Sequence, residues 1–204
     1  VKRLFVLVVL GLAGFSAGAE TPAILVFGDS ISAGYGLAHV ESGWVEMLRT
    51  KLKSEGYGYQ VVNASVSGET TAGGLARLPR ALSLHHPQIV IIELGGNDGL
   101  RALPIAQMRT NLMQMVDLAT ASGARVLLLG MRIPPNYGPE YTEQFRSSIT
   151  EIAHREKVPI VPFLLEGIAL TPELVQGDGI HPNEQGQPIL LANVWPTLLP
   201  LLKK

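Results

Sequence analysis

Ala23-Ile24-Leu25-Val26-Phe27-Gly28-Asp29-Ser30-Ile31-Ser32-Ala33-Gly34 begins as five apolar residues and turns, at Gly28, into a run of small and polar ones. A short run that is apolar on both faces reads as a strand buried on both sides, which is the habit of parallel sheets. Four further β-rich runs follow, at 59–63, 89–93, 125–129 and 159–162. The stretches between them carry apolar residues three and four apart: Trp44, Met47, Leu48 and Leu52, then Ile105, Met108, Leu112, Met115, Val116 and Ala119, then Tyr141, Phe145, Ile149 and Ile152. That spacing is helical. Strand and helix in alternation predict βαβ units, an α/β fold, and a three-layer α/β/α sandwich around a parallel sheet.

The punctuation agrees with this reading. Pro104 and Pro139 are placed for first helical turns, and Gly56 and Gly123 lie where a helix gives way to a strand. Pro79 is expected to split the stretch 70–84 into two short helices, because proline removes a hydrogen-bond donor and crowds the preceding turn. The five methionines fall mostly at helical spacing and read as core residues.

The chain has 204 residues, 47% of them hydrophobic and 16% charged, enough for one sizeable core. No repeat, low-complexity tract or linker breaks it, so a single domain over 20–204 is expected. A formal charge of -1 offers no basic field to gather nucleic acid. Without cysteine, thiol catalysis and thiolate zinc sites are excluded.

Residues 1–19 differ in kind: Lys2 and Arg3 precede an apolar run that ends in Ala17, Gly18 and Ala19. This is the pattern of a cleaved secretory signal, and the run falls short of the roughly 20 residues that span a bilayer. Cleavage near Ala19/Glu20 and a periplasmic or secreted protein without a permanent membrane anchor are expected.

In open parallel sheets, ligands bind beyond the carboxyl ends of the strands, and there the unusual residues fall. Ser30 follows the first strand on a strand-to-helix turn, where its hydroxyl can face a cleft. Taken alone, this segment is equally a glycine-rich turn with Ser30 or Ser32 as helix cap. After the second strand, Gly68 leaves a backbone N–H free to face the same cleft. After the third, Gly95-Gly96-Asn97-Asp98 lets Asn97 aim its amide at developing negative charge. After the fifth comes Gly177-Asp178-Gly179-Ile180-His181-Pro182. An Asp three residues before a His can hold the imidazole Nδ1–H and leave Nε2 to take a proton from Ser30. His39, His85, His86 and His154 lack such a partner.

Gly28-Asp29-Ser30, Gly68, Gly95-Gly96-Asn97-Asp98 and Asp178-x-x-His181 together resemble the four blocks of the SGNH (GDSL) hydrolase family. The closest likeness is to its bacterial multifunctional esterases, described as thioesterase, lysophospholipase and arylesterase. Ile31 stands where the family name implies Leu. The resemblance implies a flavodoxin-like sheet of order 2-1-3-4-5, Ser30 as nucleophile with Asp178 and His181, and an oxyanion hole from the N–H groups of Ser30 and Gly68 and the Asn97 side chain. It also implies acyl transfer from small esters or lipids without cofactor or metal, by a protein expected to be a monomer. Residues 132–139, with Ile133, Pro134 and Tyr137, would cover the acyl chain, joined by Leu164 in the segment 163–170.

Two other readings stay open at this point. Asp29, Asn97, Asp98, Asp178 and His181 could hold a hydrolytic metal. The same scaffold could also serve a non-catalytic periplasmic binding module, since a fold does not fix a function.

Overall fold

The computed structural model describes residues 21–204; the expected signal segment, 1–19, lies outside the described residues. Five parallel strands form one sheet: β1 (Ala23–Gly28), β2 (Gln60–Asn63), β3 (Ile89–Glu93), β4 (Arg125–Leu129) and β5 (Ile160–Val161). Their order is β2-β1-β3-β4-β5, as expected. β1 and β3 are buried along their whole length, which is why their sequences carry no polar alternation.

The helices are α1 (Ser30–Ala33), α2 (Trp44–Ser54), α3 (Thr71–His85), α4 (Gly96–Leu100), α5 (Ile105–Ala121), α6 (Pro139–Glu156) and α7 (Gln187–Leu198). α3, α5 and α6 pack in succession over one face, while α2 and α7 pack together over the other. A parallel sheet covered on both faces makes the three layers of the expected sandwich. Gln187 ties the second pair, its Oε1 accepting the Trp44 N–H at 3.0 Å. Trp44, Leu48 and Leu52 seal one face, and Met108, Leu112, Phe145 and Ile149 the other, all essentially removed from solvent. Each such side chain contributes about 1.5–3 kcal/mol relative to leaving it exposed.

Three expectations are corrected. α3 runs unbroken through Pro79. Pro79 lies on the exposed side of the helix, so the lost bond is on a face where water can solvate the freed carbonyl. β2 begins at Gln60 rather than Tyr59. β5 keeps only two residues of the expected four, because Pro159 and Pro162 on either side cannot donate to the ladder.

The strand order reverses between β1 and β3, whose carboxyl ends therefore open onto a crevice.

Candidate active site

Asp29 caps α1: its Oδ1 accepts the Ile31 N–H at 3.1 Å, a role the sequence leaves to Ser30 or Ser32. Ser30 is thereby freed to open the helix with its hydroxyl in the crevice. There the Ser30 Oγ stands 2.8 Å from His181 Nε2, across 151 residues of sequence. His181 Nδ1 lies 2.6 Å from Asp178 Oδ2.

The loop that carries the pair is held from within. Asp178 Oδ1 accepts the N–H groups of Ile180 at 2.9 Å and His181 at 3.0 Å. What burial there is raises the Asp178 pKa, but those two N–H groups and the His181 ring outweigh it and bring the carboxyl down to about 2. A carboxylate so held stays charged and keeps a proton on Nδ1, which leaves Nε2 as the acceptor facing Ser30. Gln176 anchors the loop to the first strand's turn, its Nε2 donating to the carbonyls of Tyr35 at 2.7 Å and Pro182 at 3.1 Å. Tyr35 itself packs against the imidazole, ring centroids 4.7 Å apart.

Gly68 and Asn97 line the same cavity as Ser30 and His181. Gly68 adopts φ +77°, a conformation that side chains disfavour, and its N–H meets no acceptor among the described residues. Its carbonyl is held by Arg101 Nη2 at 2.9 Å. Asn97 donates one Nδ2 hydrogen to Asp29 Oδ2 at 3.0 Å and keeps the other. The Ser30 N–H, first in its helix, likewise has no acceptor among the described residues. Three N–H donors without an acceptor among the described residues thus belong to residues that line one cavity with His181, and donors of this kind can stabilise an oxygen bearing new negative charge.

Asp98, also on α4, is spoken for: its carboxylate accepts from Thr71 N at 2.8 Å and Thr71 Oγ1 at 2.6 Å, fastening α4 to the start of α3. Among the described residues no three His, Cys, Asp or Glu converge as metal ligands do. Asp29 and Asp98 are engaged by donors of their own.

The crevice widens into a cavity of about 620 Å³ that reaches from Ser30 and His181 to Ile133, Pro134, Phe163 and Leu165. Its size and apolar lining suit a small organic ligand. Of the four residues expected to line it, Ile133 and Pro134 do. Tyr137 does not: it faces a separate shallow depression and its hydroxyl donates to the Leu100 carbonyl at 2.7 Å. Leu164 points the other way, into the core, and Leu165 takes the cleft position. Met131 and Tyr35 line the cavity without having been singled out; Met131 follows β4 as Asn97 follows β3, and that position after a strand was the available signal.

The sequence model of the GDSL-like lipase/acylhydrolase family matches residues 26–189. The chain is 55% identical over 186 residues to the esterase TesA of Pseudomonas aeruginosa, covering 91% of each. It is 41% identical over 187 residues to the thioesterase 1/protease 1/lysophospholipase L1 of Escherichia coli K12, covering 92% of this chain and 87% of that one. A solved psychrotrophic esterase, EstA from Pseudoalteromonas sp., inhibited by monoethylphosphonate, superposes with a TM-score of 0.83 at 40% identity, over 87% of this chain and 97% of that one.

Proposed function

Because the chain belongs to the GDSL-like lipase/acylhydrolase family and is a serine hydrolase of carboxylic esters, we propose that Ser30 is its nucleophile, His181 its base and Asp178 the carboxylate that orients the base. The observation that carries this reading is the continuous chain Asp178–His181–Ser30, with contacts of 2.6 and 2.8 Å, at the inner end of an apolar cavity.

His181 Nε2 takes the Ser30 proton as Oγ attacks the ester carbonyl. The N–H groups of Ser30 and Gly68 and the free Asn97 hydrogen receive the oxyanion of the tetrahedral intermediate. Collapse returns the proton from His181 to the leaving alcohol and leaves an acyl group on Ser30. Water, deprotonated by the same imidazole, then releases the acid. The apolar part of the cavity holds the acyl chain, and carboxylic esters, lysophospholipids and thioesters are the substrates this reading favours, the last two in line with the name of the Escherichia coli relative. Residues 20–204 act as one domain, a monomer, exported to the periplasm or beyond after cleavage near Ala19/Glu20. A metal-assisted route has less support, since two of its carboxylates are engaged elsewhere.

A fluorophosphonate probe tests the assignment. We expect one adduct, on Ser30, by mass spectrometry, and a loss of turnover on p-nitrophenyl esters on the order of 10⁶-fold in Ser30→Ala. An adduct elsewhere, or an active Ser30→Ala, would remove Ser30 from the mechanism.

A further inference from the structure

Glu93 ends β3 directly beneath the Gly28-Asp29-Ser30 turn, wholly shut off from solvent. Its Oε2 accepts the Asp29 N–H at 3.2 Å and the Ser32 hydroxyl at 2.8 Å. Gly28 is packed so closely against it that a Cβ there would stand 2.5 Å from Oε2. The other oxygen, Oε1, is buried and receives no donor among the described residues. The neighbouring Asp29 carboxyl holds the Ile31 N–H and Asn97 Nδ2 on its two oxygens, and its charge acts on Glu93. Two neighbouring buried carboxylates only accept and repel each other, and with no donor on Oε1 the pair favours keeping one proton.

The surroundings say which partner keeps the proton. Burial raises the Asp29 pKa too, but the Ile31 N–H and Asn97 Nδ2 offset part of that and favour its charge, whereas Glu93 Oε1 has no donor among the described residues. Burial, and then the Asp29 charge, push Glu93 well above the usual carboxylate range. The titratable group facing Glu93 is Asp29, and the one facing Asp29 besides Glu93 is His181.

We propose that Glu93 is a positioning residue for ester hydrolysis: held as the neutral acid, it donates to Asp29, so that the pair carries one negative charge and that charge fixes the Asn97 amide with its free N–H toward the crevice. An ionised Asp29 can only accept, so it must face the Nδ2 side of Asn97. A protonated Asp29 could donate to Asn97 Oδ1, turning the amide over and presenting a carbonyl to the oxyanion. The proposal rests on Asn97 being an oxyanion donor, as read above.

Kinetics on a p-nitrophenyl ester separate the two ideas. Glu93→Ala is expected to lower kcat on the order of 10- to 100-fold with KM little changed, as for a catalytic group moved slightly out of place. Glu93→Gln, whose amide can still donate to Asp29, is expected to restore most of that loss. In an Asn97→Ala background, Glu93→Ala is expected to cost less than about threefold more, because the group it positions is gone. Fully additive losses, or a Glu93→Gln as impaired as Glu93→Ala, would overturn the proposal. An Asn97→Ala of full activity would instead overturn the oxyanion reading on which it rests. Should Glu93→Ala fail to fold, an infrared difference spectrum at pH 8 between the wild-type protein and Glu93→Gln decides: a protonated carboxylic acid band is expected, and its absence refutes the neutral acid.

Discussion

The two arms that meet at Ser30 are built on opposite principles. On one side, Asp29, Ser32, Glu93 and Asp98 are sunk beneath the strand ends, each almost or wholly without contact with water. On the other, the Asp178 side chain keeps 38% of its exposure and the loop around it is largely solvent-facing. The buried arm is a floor fixed by the sheet, where hydrogen bonds tie residues more than sixty positions apart, such as the Asp29 N–H to Glu93. The exposed arm is a strap held mostly within itself, through Asp178 and the two N–H groups that follow it, with Gln176 tying it to Tyr35. A groove for developing charge needs dipoles that do not reorganise, and burial supplies that stiffness. A base has to take up and return a proton, and a loop anchored at few points suffices to aim it.

The contrast breaks first at the strap. Asp178→Asn is expected to cost as much as about 10⁴-fold in kcat on an aryl ester while the protein stays folded, because the amide favours the wrong imidazole tautomer. On the floor, Asn97→Ala removes one donor of three and is expected to cost on the order of 10²- to 10³-fold, again mostly in kcat. Gln176→Ala loosens the strap without touching its chemistry, and a loss of only a few-fold is expected, with the melting temperature barely moved. A Gln176→Ala as damaging as Asn97→Ala would mean that the strap is not self-supporting.

The smallest effects concern pH, and their signs should oppose. Asp178 has a folded pKa near 2, below the ordinary 3.8, so its contribution is present above 3.8 and fades as pH falls toward 2. Glu93 is displaced upward from 4.5, so the folded protein holds a proton that the unfolded chain has released, and stability declines as pH rises above 4.5 toward the folded value. Melting curves should therefore show Asp178→Asn flattening the acid side and Glu93→Gln the alkaline side. For the half-exposed Asp178 the shift is expected to be no more than about 1–2 °C.

How far the sequence could be read follows the same division. The strap was legible because Asp178 and His181 are three residues apart, and the strands because β1, β3 and β4 each carry four or more consecutive apolar residues. Glu93 was not, for it looks like the polar end of a strand and its partner lies at Asp29, with no local spacing to betray the pair. Leu164 and Leu165 differ by one position on an irregular segment, where no periodicity says which side faces the cleft. Pro79 misled because the cost of a proline in a helix depends on which face it occupies, and the surrounding pattern was read without its orientation.

The brevity of β5 has a consequence beyond the sheet it closes. An outermost strand normally offers a ladder of open N–H and C=O groups on which a second chain can polymerise. Here Pro159 and Pro162 bracket a strand of two residues, so that flank presents almost nothing for an incoming strand to copy. A chain with no disulfide to restrain it thus carries its guard against fibril-like association in the same prolines that cut the strand short.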